Sequence, residues 1–194
     1  MQTAKNHIKK KTPFYKERDE NQREEFRKKL GQIPEERRIY IDESGINEYL
    51  YRENGRATKG EKIYGAVSGN RYHRESFIAA QRQSKIFAPF CYTGTCDTAL
   101  FNTWLEKICI PELKPGDVLI LDNASFHKSK ATVEMVTQAG CEVLFLPPYS
   151  PDLNPIEKFW ANFKKRVKES VKFYSRLAEV IDLTFLEICR WLKI

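Results

Sequence analysis

The chain lacks any apolar run approaching the roughly 20 residues that a helix needs to cross a bilayer. Its N-terminus, MQTAKNHIKKK, also lacks the apolar stretch of a secretory signal. These two absences predict a protein of the cytoplasm with no membrane partner. Cysteine is sparse: Cys91, Cys96, Cys109, Cys141 and Cys189 are odd in number and dispersed, which argues against a secreted disulfide framework. Cys91 and Cys96 form one close pair, but no second pair follows and the three histidines are scattered, so a structural zinc site is not expected. The cysteines read as small, partly buried core residues. No internal repeat or low-complexity tract is present.

What the chain does have is length for one core. With 194 residues, 41% of them apolar, it can bury a single sizeable core with an appendage. Lys and Arg number 33 against 26 Asp and Glu, a formal charge of +7 that suits a polyanionic partner. Residues 1–35 are rich in mixed charge with isolated aromatics and read as a charged linker or short N-terminal helix. Residues 36–194 form the domain.

Periodicity orders the domain. Ile39 and Ile41 alternate with Tyr40 and Asp42, a strand closed by Ser44-Gly45. The runs 62–67, 76–80 and 85–92 are β-like. Thr95 or Asp97 caps a helix whose apolar face is Leu100, Phe101, Trp104, Leu105 and Ile108. The run Asp117 to Asp122 is almost wholly apolar, the pattern of a strand covered on both faces, and Cys141 to Leu146 reads the same way. Between them Lys128 to Ala139 is a short helix. A long helix starts at Asn154, and a last amphipathic one spans Arg176 to Leu192. Early strands followed by strand, helix, strand, helix predict an α/β fold, a mixed sheet with helices on both faces. Right-handed crossover places the Asp122 strand parallel to its neighbour; if that is the Asp42 strand, the two aspartates approach each other.

Three acids stand at the edges of apolar elements. Asp122 ends its strand on the side of Val118 and Ile120, where a carboxylate needs a partner or a cation, although it also suits an Asp-Asn turn. Asp42 is followed by Glu43, and strand phase favours Asp42 as the ligand because Glu43 points with Ile39 and Ile41. Glu157 fits two roles. In Asn154-Pro155-Ile156-Glu157 it can close a capping box on Asn154. It also borders the buried stripe Ile156, Trp160, Phe163, Val167, with Lys164, Lys165 and Lys168 within about a quarter turn at 100° per residue. An acid aligned with a basic stripe suits a metal site beside a phosphate backbone. Asp117 and Asp152 read as turn residues. His127 is a candidate for substrate contact or proton transfer, and Pro147, Pro148, Pro151 and Pro155 stiffen the loop that carries Tyr149 and Ser150.

Three segments, YIDESGI, LILDNASFHKS and LPPYSPDLNPIEKFWANFKK, together resemble the catalytic domain of DDE transposases, in particular the bacterial insertion-sequence branch of the mariner superfamily. The 34 residues between Asp122 and Glu157 equal the separation characteristic of that family. The resemblance implies a ribonuclease-H-like five-stranded sheet and a catalytic, metal-holding trio of Asp42, Asp122 and Glu157. It further implies two Mg²⁺ ions, with Mn²⁺ able to substitute, and cleavage and strand transfer at transposon ends, with DNA contacts from Lys164, Lys165, Lys168 and His127. The implied partners are transposon-end and target DNA near the nucleoid, and a second copy of the chain in a synaptic complex. Family members of full length carry a helix-turn-helix region ahead of this domain, whereas only the charged segment precedes it here. The expected third partner is therefore a separate helix-turn-helix protein. The alternative expectation is a catalytically idle DNA-binding or assembly-blocking remnant.

Overall fold

A computed structural model describes residues 16–47, 58, 62, 64 and 74–191. Five strands form one sheet: β1 (Arg38–Asn47), β2 (Arg74–Arg82), β3 (Lys85–Thr93), β4 (Val118–Leu121) and β5 (Glu142–Phe145), in the order β3-β2-β1-β4-β5. β1 to β3 form an antiparallel meander, and β1, β4 and β5 run parallel, with Tyr40 opposite Ile120. The expected parallel neighbours are thus the real ones. The predicted strand at 62–67 lies outside the described residues apart from Lys62 and Tyr64.

Strand alternation sorts the core into two layers. Tyr40, Phe77, Ala79 and Ile120 face α1 (Glu20–Gly31), α4 (Ile156–Ser170) and α5 (Leu177–Trp191). Ile39, Ile41, Ile78, Leu119 and Leu121 face α2 (Thr98–Trp104) and α3 (Lys130–Gln138). The first layer is aromatic: Phe77 lies 5.1 Å from both Trp160 and Phe163, and Phe163 lies 4.2 Å from Phe185, ring centre to ring centre. The second layer holds Phe101, Trp104 and the buried thiols Cys109 and Cys141.

Local chemistry sets the helix ends. Asp97 caps α2 by accepting from the Leu100 N–H at 2.8 Å, and Ser129 caps α3 by accepting from the Thr132 N–H at 3.1 Å. Gly140, at φ +73°, takes the left-handed turn after α3 that leads into β5.

Three expectations need correction or extension. β5 is not covered on both faces: Glu142 is exposed and Val143 to Phe145 are half-buried, because β5 is the outer strand of the sheet. The charged N-terminal segment takes the helical one of its two expected forms over α1, and what the polar composition did not show is that Phe26 enters the first core layer and that Arg23 is wholly buried. Asp117 is more than a turn residue. It is buried, pairs with Arg82 and Arg37, and accepts from the Lys114 N–H at 2.7 Å.

Candidate active site

Asp42 lies in the middle of β1, while Asp122 directly follows β4. Asp42 is in phase with Tyr40 of the aromatic layer, and Asp122 follows Leu121 at the end of its strand. Glu157 stands in the first turn of α4, which packs on that layer. The three carboxylates line one cleft of about 460 Å³, walled by Asn123, Leu146 and the loop from Pro147 to Asn154. Asn123 donates to the Leu146 carbonyl at 2.9 Å and so ties the ends of β4 and β5 across its floor.

Each aspartate is held by a different layer. Trp160, one turn beyond Glu157 on the buried stripe of α4, donates its indole N–H to Asp42 Oδ2 at 3.0 Å. Burial, and then the charges of Glu157, Glu43 and Asp122, push the Asp42 pKa up to about 8 despite that bond. Asp122 Oδ1 accepts from the Ala124 N–H at 2.9 Å and from His127 Nδ1 at 2.7 Å. Burial raises its pKa, but these bonds outweigh it and hold the carboxyl below its ordinary value.

His127 is fully buried, edge-on to Phe126 at 4.2 Å and tilted against Phe101 at 4.4 Å. Its Nε2 donates to Glu43 Oε1 at 3.0 Å. Both partners are carboxylate oxygens, so both ring nitrogens must donate and the ring is an imidazolium. Burial opposes that charge, yet the bonds to Asp122 and Glu43 raise the pKa to about 9. With no exposed surface and both nitrogens engaged, His127 cannot touch DNA in this arrangement. It bridges β1 to the loop after β4. The phase that points Glu43 away from the cleft brings it to His127, while Asp42 lines the cleft.

The capping box at α4 does not form. The Asn154 N–H bonds to the Pro151 carbonyl at 2.9 Å, and no side chain caps the helix. Asn154 is buried, and its Oδ1 has no hydrogen-bond partner among the described residues. Glu157 is exposed, with its carboxylate left to the cleft. Tyr149, half-exposed at φ +54°, lines the same cleft in a left-handed conformation uncommon for a non-glycine residue. Strained backbone of this kind clusters at functional sites.

The lysines divide. Lys164 is half-buried beside the acids; burial, then Arg74, lower its pKa, while Glu157 and Asp42 pull it up. Lys168 is exposed and its charge is felt at Lys164. Lys165 lines a separate groove with Phe159, Asn162 and Arg166. Among the described residues no three acid, histidine or cysteine side chains are gathered closely enough to cage an ion as they stand.

Sequence reasoning missed the Trp160 bond to Asp42, although Trp160 sits one turn from Glu157 on the stripe already assigned to the core. It also missed Glu43 as the partner of His127. No helix among the described residues is long and apolar enough to cross a membrane.

Known proteins share this fold. The fold is similar to the Mos1 transposase in its strand transfer complex, at 18% identity and a TM-score of 0.67, covering 98% of this chain and 65% of that one. It is also similar to the catalytic core domain of BIV integrase, at 10% identity and a TM-score of 0.51, covering 77% and 80% of the two chains. The mixed five-stranded sheet with helices on both faces is the ribonuclease-H-like fold. Over 43 residues the chain is 44% identical to the uncharacterized protein y4pE/y4sA of Sinorhizobium fredii, a match covering 22% of this chain and 30% of that protein. The model of the DDE superfamily endonucleases matches residues 37–178, most of the chain, and the chain belongs to that family.

Proposed function

We propose that this chain is the catalytic domain of a transposase that cuts DNA at transposon ends and transfers the cut strand to target DNA. The observation that carries this reading is the convergence of Asp42, Asp122 and Glu157, from β1, the end of β4 and α4, on one cleft. Support comes from family membership and from the likeness to a transposase captured in a strand transfer complex.

The cleft suits divalent cations by its donor set. Hard oxygen ligands are what Mg²⁺ and Mn²⁺ take, and Mg²⁺ keeps several waters while binding through one or two carboxylates and substrate phosphates. A closed cage is therefore not required. Burial, and then the negative charges of Glu157, Glu43 and Asp122, raise the proton affinity of Asp42, and a bound cation would offset both. Related structures include a Mos1 mariner paired-end complex with Mn and another with Mg. Asp42, Asp122 and Glu157 would hold two such ions, which supply activation of an oxygen nucleophile and stabilisation of the departing oxygen.

The chain's own residues do the rest. Trp160 and His127 each occupy one oxygen of an aspartate, orienting the carboxylates so that the other oxygen is left for the cleft. Lys164 lies beside the acids where a phosphate would enter, and Lys165 and Lys168 extend positive charge along α4 to position the DNA backbone. The nucleophile is water in cleavage and a DNA 3′-hydroxyl in joining, so one cleft serves both steps. The proposed partners are a second copy of the chain and a helix-turn-helix protein that recognises transposon ends.

The test is cleavage of a labelled end-sequence duplex in Mg²⁺ or Mn²⁺, with the proposed helix-turn-helix partner supplied. Nicking that disappears in Asp122→Ala is expected. Activity that persists in excess chelator, or survives the substitution, overturns the reading.

A further inference from the structure

α1 lies outside the residues matched by the family model, yet one of its side chains grips the active-site loop. Arg23 is 0% exposed, unusual for a charged residue, on a helix whose other buried side chain is Phe26. Its guanidinium forms a fork with Asp152, Nη1 to Oδ1 at 3.0 Å and Nη2 to Oδ2 at 2.7 Å, across 129 residues of sequence. Glu20, one turn back, lies 3.5 Å from its Nε. Asp152 sits in the tight turn Pro151–Leu153, two residues before Asn154 and five before Glu157.

We propose that Arg23 is a positioning residue for this cleft: by clamping the Pro151–Leu153 turn to α1, it sets where Asn154 and Glu157 stand. The proposal rests on the reading of Glu157 as a metal-holding acid. The connection from clamp to carboxylate is stiff. Leu153 donates to the Ser150 carbonyl at 3.0 Å, Asn154 to Pro151 at 2.9 Å and the Glu157 N–H to Asn154 at 3.3 Å. Pro151 and Pro155 fix their own φ angles, and no glycine lies between Pro147 and Glu157. A displacement at Asp152 therefore passes to Glu157 and is not absorbed on the way.

Docking of α1 does not by itself require this pair. Phe26 already anchors the helix in the first core layer and borders Pro147 and Pro148 at the other end of the loop. An ion pair whose carboxylate is half-exposed adds little net stability, but its two-bond fork imposes direction. Direction is what a metal-holding carboxylate on a loop-to-helix junction needs.

Arg23→Met and Arg23→Lys separate docking from positioning. Met keeps the volume and the apolar contacts and loses the fork; Lys keeps the charge as a point. The full chain is titrated with Mn²⁺ alone by calorimetry, amide exchange is followed at Leu153, Asn154 and Glu157, and thermal unfolding is recorded. Arg23→Met is expected to fold, to exchange faster at those amides and to bind Mn²⁺ about tenfold more weakly, the size seen when groups supporting metal ligands are removed. Arg23→Lys is expected to fall between Met and wild type in both measurements. Wild-type exchange and wild-type Mn²⁺ affinity in Arg23→Met overturn the proposal, whatever its melting temperature. If Arg23→Met does not fold, Arg23→Lys decides: wild-type behaviour in both measurements overturns it. Should wild-type chain bind no Mn²⁺, the metal-holding reading fails, and the exchange rates alone still report whether Arg23 holds the turn.

Discussion

The two faces of the sheet serve the acids in different ways. On the α4 face, Asp42 receives one neutral donor, the Trp160 indole, embedded in a cluster of aromatic rings. On the α2 and α3 face, a charged ring at His127 is held between Asp122 and Glu43 and flanked by Phe101 and Phe126. One aspartate is thus left with a high proton affinity, and the other is kept ionised by a neighbouring cation. The difference shows how a single cleft acquires unlike carboxylates. At Asp42 burial and the charges of Glu157 and Glu43 outweigh one neutral donor, whereas at Asp122 the His127 ring and the Ala124 N–H together outweigh burial.

Removing either carboxylate is the most severe way to break the comparison. Asp42→Ala and Asp122→Ala are each expected to lower metal-dependent strand cleavage by on the order of 10³-fold, the several kcal/mol that positioned cations supply to the transition state. Equal losses in a labelled-duplex assay fit a shared site; a loss confined to one variant breaks that equivalence. Next comes the scaffold of the aromatic face. Trp160→Ala removes a wholly buried ring and is expected to cost about 3–5 kcal/mol in denaturant unfolding.

Substituting the donors alone sharpens the contrast. His127→Phe retains a ring against Phe101 and Phe126 but leaves Glu43, whose side chain is 15% exposed, without its partner. The expected cost is about 2–3 kcal/mol, within the range for a buried group stripped of a charged hydrogen bond. Trp160→Phe keeps most of the ring packing and loses one bond to a carboxylate, for about 1.5 kcal/mol. A larger cost for Trp160→Phe than for His127→Phe in the same denaturant titration reverses the proposed ranking of the two faces.

The smallest effect concerns acid stability and lies at the margin of the α4 face. Arg23 holds the Asp152 carboxyl below its ordinary value. A depressed folded-state pKa contributes stability that is fully present above the unfolded carboxylate value of about 4 and is lost as pH falls through the lowered one. Asp152→Asn should therefore melt below wild type at neutral pH, and the gap should narrow as pH falls below about 4. A gap independent of pH rules out this ion pair as its source.

Much of the fold was legible because its signals are local. Alternation in Ile39 to Asp42 assigned each side chain of β1 to a face, and the stripe on α4 placed Trp160 and Phe163 in the core. The same phase argument separated Asp42 from Glu43. Residues 20–31 were legible as a short charged helix, but their polar composition hid its docking; the signal for that was Phe26 and Leu30, spaced four apart, with Arg23 one turn earlier on that side. The capping box at Asn154 had the right residues, but the preceding turn had already taken the Asn154 N–H. The run before Leu146 looked buried because its apolar content does not reveal that β5 has a single neighbour.

Sequence alone determined the three acids, their order and separation, and the direction each strand residue faces, since these depend on neighbours a few residues away. Tertiary structure decided which strands adjoin, that His127 joins Glu43 to Asp122, and that Arg23 reaches Asp152. Those pairings link residues up to 129 positions apart. They are selected by which buried charges find partners once the sheet has closed, a condition no local periodicity encodes.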